Sequence, residues 1–257
     1  MPATTIPSDV FGQTPRLFGL YTQLCFCFPL QGLHLRTQRA IGDYLYAGAE
    51  RLVKHVPWLG GSVIQSPSGE YLIQYSGSVP AVLCRDLRRP LSDYDDMREA
   101  RFPSSMLDET IIAPRRTLQA GNEEAPPVMM LQANFVKGGL LLVVIAQHNC
   151  INLRGQAQCI EVFAKACRNE DFTSHEIAIA NTTTFVFDPL PRESLKVFKA
   201  KPKQIVAPQP LENGLTESHD LSKTRWLYFV FSETALQRLK ATTEPSKQVD
   251  SSLQTTR

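Results

Sequence analysis

The sequence predicts a mixed α/β domain with helices flanking a sheet, because strand-type and helix-type hydrophobic patterns alternate along most of the chain. An early strand pattern leads into a long helical pattern, and several short strand patterns follow. A strong apolar run then continues directly into a second helical pattern. This order is typical of layered domains, and 257 residues are enough to bury a substantial core in one or two of them.

The first part of the chain contains a strand, a helix and a hairpin. Residues 16–30 alternate between large apolar and polar or small side chains, which predicts a half-buried strand. Apolar residues recur at helical spacing over residues 37–56, and Pro57 ends this helix. Residues 58–61 form a turn, and the strand-like segments on either side of SPSG then predict a β-hairpin.

The middle of the chain carries the strongest strand patterns. Residues 81–86 predict one further short strand, and the charged stretch 93–101 predicts a surface helix or irregular structure. The apolar runs 128–136 and 138–146 are separated by a glycine-containing turn, which predicts a second hairpin. The period then changes, because apolar residues recur at helical spacing over residues 155–168.

The C-terminal part has a different character. Five prolines between residues 188 and 214 predict a long linker. Residues 226–231 predict a strand, and Ser232 is placed to cap a short helix that runs to residue 241. Two elements are too few to enclose a core of their own. We expect them either to pack on the first domain or to belong to something longer.

The composition excludes two classes of partner. The chain has 27 basic and 25 acidic residues and a net charge of +2, which offers no electrostatic case for binding nucleic acid. No apolar run approaches the roughly 20 residues that a membrane-spanning helix needs. The N-terminus lacks the basic start and apolar core of a secretory signal. We therefore expect no nucleic-acid partner and no membrane partner.

The cysteines and histidines predict a reduced protein without a metal site. No CxxC pair is present, and in a chain without a secretory signal this pattern is typical of reduced, mostly buried cysteines in the cytoplasm. Four of the five histidines, His34, His55, His175 and His219, are scattered without the spacing of metal ligands, so we expect no bound metal. The six cysteines are Cys25, Cys27, Cys84, Cys150, Cys159 and Cys167.

The strand–helix junction AQHNCINLRG, residues 146–155, holds the main candidate for a catalytic residue. His148 follows a buried strand, where a neutral imidazole nitrogen can act as a general base toward a hydroxyl group. The alternative is a structural histidine that ends a strand and bonds a nearby carbonyl, which is the more common role. Cys150 would share a strand face with His148 rather than point at it, which favours a packing role for this thiol.

Four segments carry a resemblance to a known family. They are VKHVPWLGGSV (53–63), FPSSMLDE (102–109), MLQANFVKGGLLLVVIAQHNCINLRGQAQCIEVFAKACR (130–168) and WLYFVFSETALQRLKA (226–241). In order and spacing they resemble the acyl-CoA-dependent acyltransferases of the BAHD superfamily, and most closely the fungal trichothecene 3-O-acetyltransferase branch. The resemblance extends over most of residues 18–241.

The resemblance implies a chloramphenicol-acetyltransferase-like architecture, in which two similar α/β domains enclose a tunnel. Residues 1–187 are then the N-terminal domain, with a mixed sheet and flanking helices, and residues 188–225 are a crossover linker. Residues 226–257 are the start of a second domain that is largely missing, and this range includes a disordered tail. We expect self-association through the exposed interdomain surface.

The resemblance also implies a reaction of secondary metabolism. An acyl group, acetyl in particular, passes from acyl-CoA to a hydroxyl of a small metabolite. Acyl-CoA is a co-substrate, and no cofactor is permanently bound. His148 occupies the position of the histidine in the family's HxxxD motif, where it deprotonates the acceptor. Two other interpretations stay open, namely an inactive remnant and a module of the same fold that binds a small molecule or a protein.

The motif departs from the family pattern at two positions. Asn152 replaces the aspartate, whose role in the family is structural through an ion pair with an arginine. Leu153 replaces the following glycine, and we expect strain there if the turn needs a positive φ. Gly155 keeps the second glycine. We expect Asn152 and Gly155 to hold the shape of the motif without contributing to proton transfer.

Overall fold

The computed structural model describes residues 3–9, 11–30, 35–118, 125–182 and 231–243. The described residues fall into two units, and everything up to residue 182 lies in the first. Residues 231–243 lie in the second unit. The predicted linker and all but the last residue of the predicted strand 226–231 lie outside the described residues. Within the described ranges, no helix combines the length and the apolar character needed to cross a membrane.

The first unit contains two sheets with helices packed around them. Its strands are β1 (Thr4–Pro7), β2 (Tyr21–Pro29), β3 (Ser62–Gln65), β4 (Tyr71–Tyr75), β5 (Ala81–Asp86), β6 (Met129–Val136) and β7 (Gly139–Gln147). Its helices are α1 (Leu35–Val53), α2 (Tyr94–Glu99), α3 (Glu109–Ile112), α4 (Leu153–Cys167) and α5 (Ser174–Ala180). The second unit holds α6 (Glu233–Thr243), and the Ser232 hydroxyl accepts from the Ala235 N–H as an N-cap does.

The larger sheet has the strand order β2-β7-β6-β5 and is mixed, as predicted. The pairs β2–β7 and β6–β7 are antiparallel, whereas β5–β6 is parallel. The predicted hairpin between β6 and β7 is confirmed, and Gly138 turns it at φ +79°. All nine residues of β7 are buried, which explains why its sequence is apolar without alternation.

Each face of β7 packs against a different layer. Leu140, Leu142 and Val144 join one core cluster, which includes residues of α1 and α4. Leu141 and Val143 join a second cluster that includes residues of α2 and α3. Successive side chains of a strand point to opposite faces, so this one strand organises both layers and brings its C-terminal end to the start of α4.

The smaller sheet has the order β1-β4-β3 and was only partly predicted. The hairpin β3–β4 is confirmed, with Gly69 at φ +89° in its turn. The strand β1 was missed, because its four residues gain their ladder from β4, far along the chain. The predicted strand over residues 16–30 begins late, because Pro15–Leu17 form a 3₁₀ turn and β2 starts at Tyr21.

The prediction that the cysteines are mostly buried is wrong. Only one of the six free cysteines, Cys159, is buried, and Cys25 and Cys84 are exposed. The reason is that these two residues lie on β2 and β5, the outer strands of the larger sheet. The predicted surface helix in the charged stretch 93–101 is confirmed as α2, and its Tyr94 and Met97 pack into the core while its charged residues are exposed.

Candidate active site

His148 is the first residue after β7, and the backbone holds it in place. Its N–H donates to the Leu20 carbonyl at 2.8 Å, which extends the β2–β7 pairing by one residue beyond Tyr21 and Gln147. The imidazole is half-buried, and its Nδ1 lies 3.4 Å from the Ile151 carbonyl oxygen. Because a carbonyl can only accept, this contact favours the tautomer with the proton on Nδ1 and leaves Nε2 as the basic nitrogen.

A single tight turn connects His148 to α4. The N–H groups of Cys150 and Ile151 both donate to the Gln147 carbonyl, at 3.0 and 3.2 Å. Asn152 then returns to extended backbone (φ −82°, ψ 172°), and α4 starts at the next residue. Four residues, 148–151, therefore separate the end of β7 from Asn152 at the start of α4.

Asn152 is the N-cap of α4. Its side-chain Oδ1 accepts from the Gly155 N–H at 2.9 Å, and its carbonyl accepts the first helical bond from Gln156. Asparagine and aspartate are nearly equal as N-caps, and such a cap contributes about 1 kcal/mol to stability. The amide therefore performs the capping that an aspartate could perform here, but it lacks the negative charge that would interact with the helix dipole or pair with an arginine.

The backbone strain that a positive φ would cause at Leu153 is not present. Among the described residues, those other than glycine with positive φ are Arg101, Phe102 and Asn169, so the turn needs no glycine at this position. Leu153 is the first residue of α4, and its side chain is exposed.

Gly155 lies against the turn from the helix side. A Cβ placed at Gly155 would approach the Ile151 side chain to 3.0 Å. The glycine thus lets α4 pack closely on the residue whose carbonyl faces the His148 ring. The contact is with a side chain that can move, rather than with backbone.

A cavity of about 700 Å³ opens beside His148. Its walls come from the N-terminal loop (residues 8–9 and 11–18), the 3₁₀ turn Pro57–Gly60 after α1, the start of α4 and the end of α5, and most of the wall surface is apolar. The lining includes Phe11, Leu17, Trp58, Ile151, Cys159 and Ile179, together with the polar Asp9, His148 and Arg154. A volume of this size accommodates a small organic molecule.

The two thiols in the cavity wall stay protonated. Burial raises the pKa of Cys159 to about 12. Burial, with a smaller contribution from Asp9, raises the pKa of Cys150 far above its ordinary value. The Cys150 thiol also donates to the Asn149 Oδ1 at 3.6 Å. Since the thiolate is the nucleophilic form, neither residue has the character of a cysteine nucleophile, and His148 has no thiol partner of that kind.

No metal centre is formed by the described part of the chain. Within those ranges, three or more His, Cys, Asp or Glu side chains do not come together in a group that could hold an ion. His55 instead packs edge-on against Phe172, with ring centroids 5.0 Å apart.

Several residues of the cavity carried no signal in the sequence. Asp9, Phe11 and Leu17 lie in the N-terminal loop, and Ile179 and Ala180 lie at the end of α5. They meet His148 only through tertiary packing, so neither periodicity nor spacing points to them. Trp58 lies within the resembling segment 53–63, but that resemblance did not single out its side chain.

Comparison with known sequences places the chain in a family. The sequence model of the family described as "Trichothecene 3-O-acetyltransferase-like N-terminal domain" matches residues 20–167. An O-acetyltransferase, dmxR13 of Cryptosporiopsis sp., is 38% identical over 242 residues, which are 91% of this chain and 52% of the relative. The trichothecene 3-O-acetyltransferase TRI101 of Fusarium sporotrichioides is 35% identical over 247 residues, again 91% and 52%. The chain spans about half the length of these relatives.

Solved structures show the same fold. The crystal structure of F. sporotrichioides TRI101 complexed with coenzyme A and T-2 matches with a TM-score of 0.64 and 36% identity, over 68% of this chain and 41% of that one. Apo F. graminearum TRI101 gives 0.64 and 36%, over 70% and 43%. The predicted acyltransferase-like α/β fold is thereby confirmed. Because the family model matches more than half of the residues, the chain belongs to the trichothecene 3-O-acetyltransferase-like N-terminal domain family.

Proposed function

We propose that this chain carries the catalytic histidine of an acyl-CoA-dependent O-acyltransferase. The observation that carries the proposal is the setting of His148, a half-buried imidazole beside an apolar cavity, with Nδ1 facing the Ile151 carbonyl oxygen at 3.4 Å. Family membership supports it, because relatives are named O-acetyltransferases. We further propose that residues 1–187 form the first domain, residues 188–225 the crossover, and residues 226–257 the start of the second domain.

The substrates follow from the relatives and from the cavity. TRI101 structures have been solved with coenzyme A together with T-2 or deoxynivalenol. We propose acyl-CoA, acetyl-CoA in particular, as the donor and a small alcohol of secondary metabolism as the acceptor. The apolar walls and the volume of about 700 Å³ are suited to a compact, uncharged alcohol.

His148 acts as a general base in this reaction. Its Nε2 takes the proton of the acceptor hydroxyl while Nδ1–H donates to the Ile151 carbonyl, which keeps the ring in one tautomer. The alcohol oxygen forms a bond to the thioester carbonyl carbon, and the C–S bond then breaks. The leaving CoA thiolate takes the proton from the imidazolium, so an ester and free CoA-SH are released. Holding both substrates at one base makes the attack effectively intramolecular.

Asn152 and Gly155 support this base without touching substrate protons. Asn152 fixes the start of α4, and Gly155 allows the helix to pack on Ile151. We propose that both are structural residues of the motif.

The test is acetyl transfer measured as free CoA-SH released in the presence of an alcohol panel. We expect His148→Ala to lower the rate by 10²-fold or more, at about the scale of a lost general base. The matched control His55→Ala removes an exposed histidine that does not line the cavity and should leave the rate unchanged. Equal turnover of His148→Ala and the unmodified chain would contradict the proposal. A chain that binds the alcohol without any transfer would instead be a binding module.

A further inference from the structure

The N-terminal loop, in its described residues 8–9 and 11–18, forms one wall of the cavity beside His148. Asp9, Phe11 and Leu17 from this loop line the cavity, although the family match begins only at residue 20. Phe11 is 58% exposed, so its ring borders the opening rather than the closed interior. A wall that lies outside the matched region is a place where acceptor preference can differ between relatives of the same fold.

Gln13 fixes this loop to the smaller sheet. Its side-chain Nε2 donates to the carbonyls of Ser8 and Tyr71, at 3.1 and 2.9 Å, and its Oε1 accepts from the Tyr71 N–H at 2.8 Å. One side chain thus closes the loop on itself and ties it to the first residue of β4. The loop is therefore held in a defined position relative to the cavity.

Gly12 brings the loop onto the residue next to His148. A Cβ at Gly12 would lie 2.0 Å from the Asn149 carbonyl oxygen, a backbone atom that cannot give way. Only glycine permits this approach. The Gly12 N–H donates to the Asp9 carboxylate at 2.6 Å, which closes a turn within the loop. The position of Phe11 relative to His148 follows from these two contacts.

The loop offers a ligand mainly apolar surface. Phe11 and Leu17 present an aromatic ring and an aliphatic side chain, and a carboxylate oxygen of Asp9 is already engaged by the Gly12 N–H. Such a surface gains free energy from covering hydrocarbon, and an aromatic ring does so with few rotatable bonds.

We propose that the N-terminal loop selects the acceptor, with Phe11 and Leu17 contacting the hydrocarbon body of an uncharged alcohol whose hydroxyl faces His148. This inference rests on the proposed acyltransferase function for the role of His148. It adds that acceptor preference is set by residues outside the HxxxD-like segment.

Binding of borneol, a rigid apolar alcohol, tests the inference directly. The sequence has two tryptophans, so Trp226→Phe leaves Trp58, in the cavity wall, as the fluorescent reporter. In this background we expect Phe11→Ala to raise the Kd for borneol about tenfold, the loss expected for removing part of a buried aromatic contact. Gly12→Ala should raise it as well, because the added Cβ pushes the loop off Asn149.

The matched control is Phe28→Ala, which removes an exposed phenylalanine at the end of β2 and should leave the Kd unchanged. His148→Ala should lower acetyl transfer by 10²-fold or more, so transfer by this variant tests the base separately from the loop. If Phe11→Ala leaves the Kd unchanged, or if the unmodified chain does not bind borneol, the loop does not select the acceptor. If His148→Ala retains transfer, the proposal that His148 is the catalytic base fails while the binding result for the loop stands.

Discussion

The two walls that meet at His148 are built in different ways. The junction of β7 and α4 takes its shape from contacts between residues close in sequence, such as Ile151 with Gln147 and Gly155 with Asn152. The N-terminal loop has local bonds as well, such as Gly12 with Asp9, but its position is fixed by Tyr71 and Asn149, which are remote in sequence. A wall held by local contacts can form within its own segment of the chain. A wall made by remote contacts depends on a close fit to backbone placed elsewhere.

The two glycines on either side of the cavity give the sharpest test of this difference. Gly12→Ala should destabilise the protein by about 2 kcal/mol, as overpacking against a rigid neighbour does, because its Cβ meets the Asn149 carbonyl oxygen at 2.0 Å. Gly155→Ala meets the movable Ile151 side chain at 3.0 Å and gains helix propensity. Its net effect should be within about 1 kcal/mol of zero. Urea unfolding measures both values.

Limited proteolysis near the N-terminus serves as the control for these variants. A loop that detaches without global unfolding would show faster cleavage in Gly12→Ala and not in Gly155→Ala. Equal losses of stability in the two variants, with equal cleavage rates, would show that the walls are equally rigid.

A smaller effect is expected inside the junction itself. Asn152→Ala removes the Oδ1 that accepts from Gly155 and should cost about 1 kcal/mol. Asn152→Asp keeps the cap and places a negative charge at the positive end of α4, which should stabilise the protein by about 0.5 kcal/mol. The two variants share one position, so each is the control for the other in urea unfolding. A loss of stability in Asn152→Asp would show that the junction rejects the charge.

The same division explains how much of the molecule the sequence could predict. The hairpin β6–β7, the hairpin β3–β4 and α4 were predictable, because their patterns come from neighbouring residues. The N-cap at Asn152 is also a local signal, since asparagine directly before a helical pattern is a common helix start. The sequence pattern around His148 therefore led to residues that line the cavity.

The other half of the cavity could not be predicted. The strand β1 and the loop after it are placed by pairing with β4 and by the fit of Gly12 to Asn149. No periodicity encodes such contacts. The exposure of Cys25 and Cys84 was missed for the same reason, because only the strand order makes β2 and β5 the edges of the sheet.

A third wall, formed by the end of α5, provides the smallest and most specific effect. Lys165 of α4 donates to both carboxylate oxygens of Glu176 of α5, at 2.8 and 2.9 Å, and so ties the helix that carries Ile179 to the helix that starts at the junction. This hydrogen bond, with further bonds from the Thr173 N–H and hydroxyl, lowers the pKa of Glu176 to about 2. The carboxylate is solvent-accessible, so the gain in stability is modest.

The sign of the pH dependence follows from the lowered pKa. The folded protein releases the Glu176 proton more readily than the unfolded chain does, so the stabilisation is complete above the ordinary pKa of 4.5 and is lost as the pH falls toward 2. Glu176→Gln keeps the acceptor oxygen of the capping box and removes only the charge. We expect this variant to have a lower Tm than the unmodified protein at pH 6 and a clearly smaller difference at pH 2.5. In a Lys165→Gln background most of the difference at pH 6 should disappear, because the charged partner of the carboxylate is then absent.

A Tm difference that is the same at both pH values would mean that Glu176 holds α5 through the capping box alone. The local contacts of α5 would then suffice to place its end at the cavity, as the contacts within the β7–α4 junction place His148.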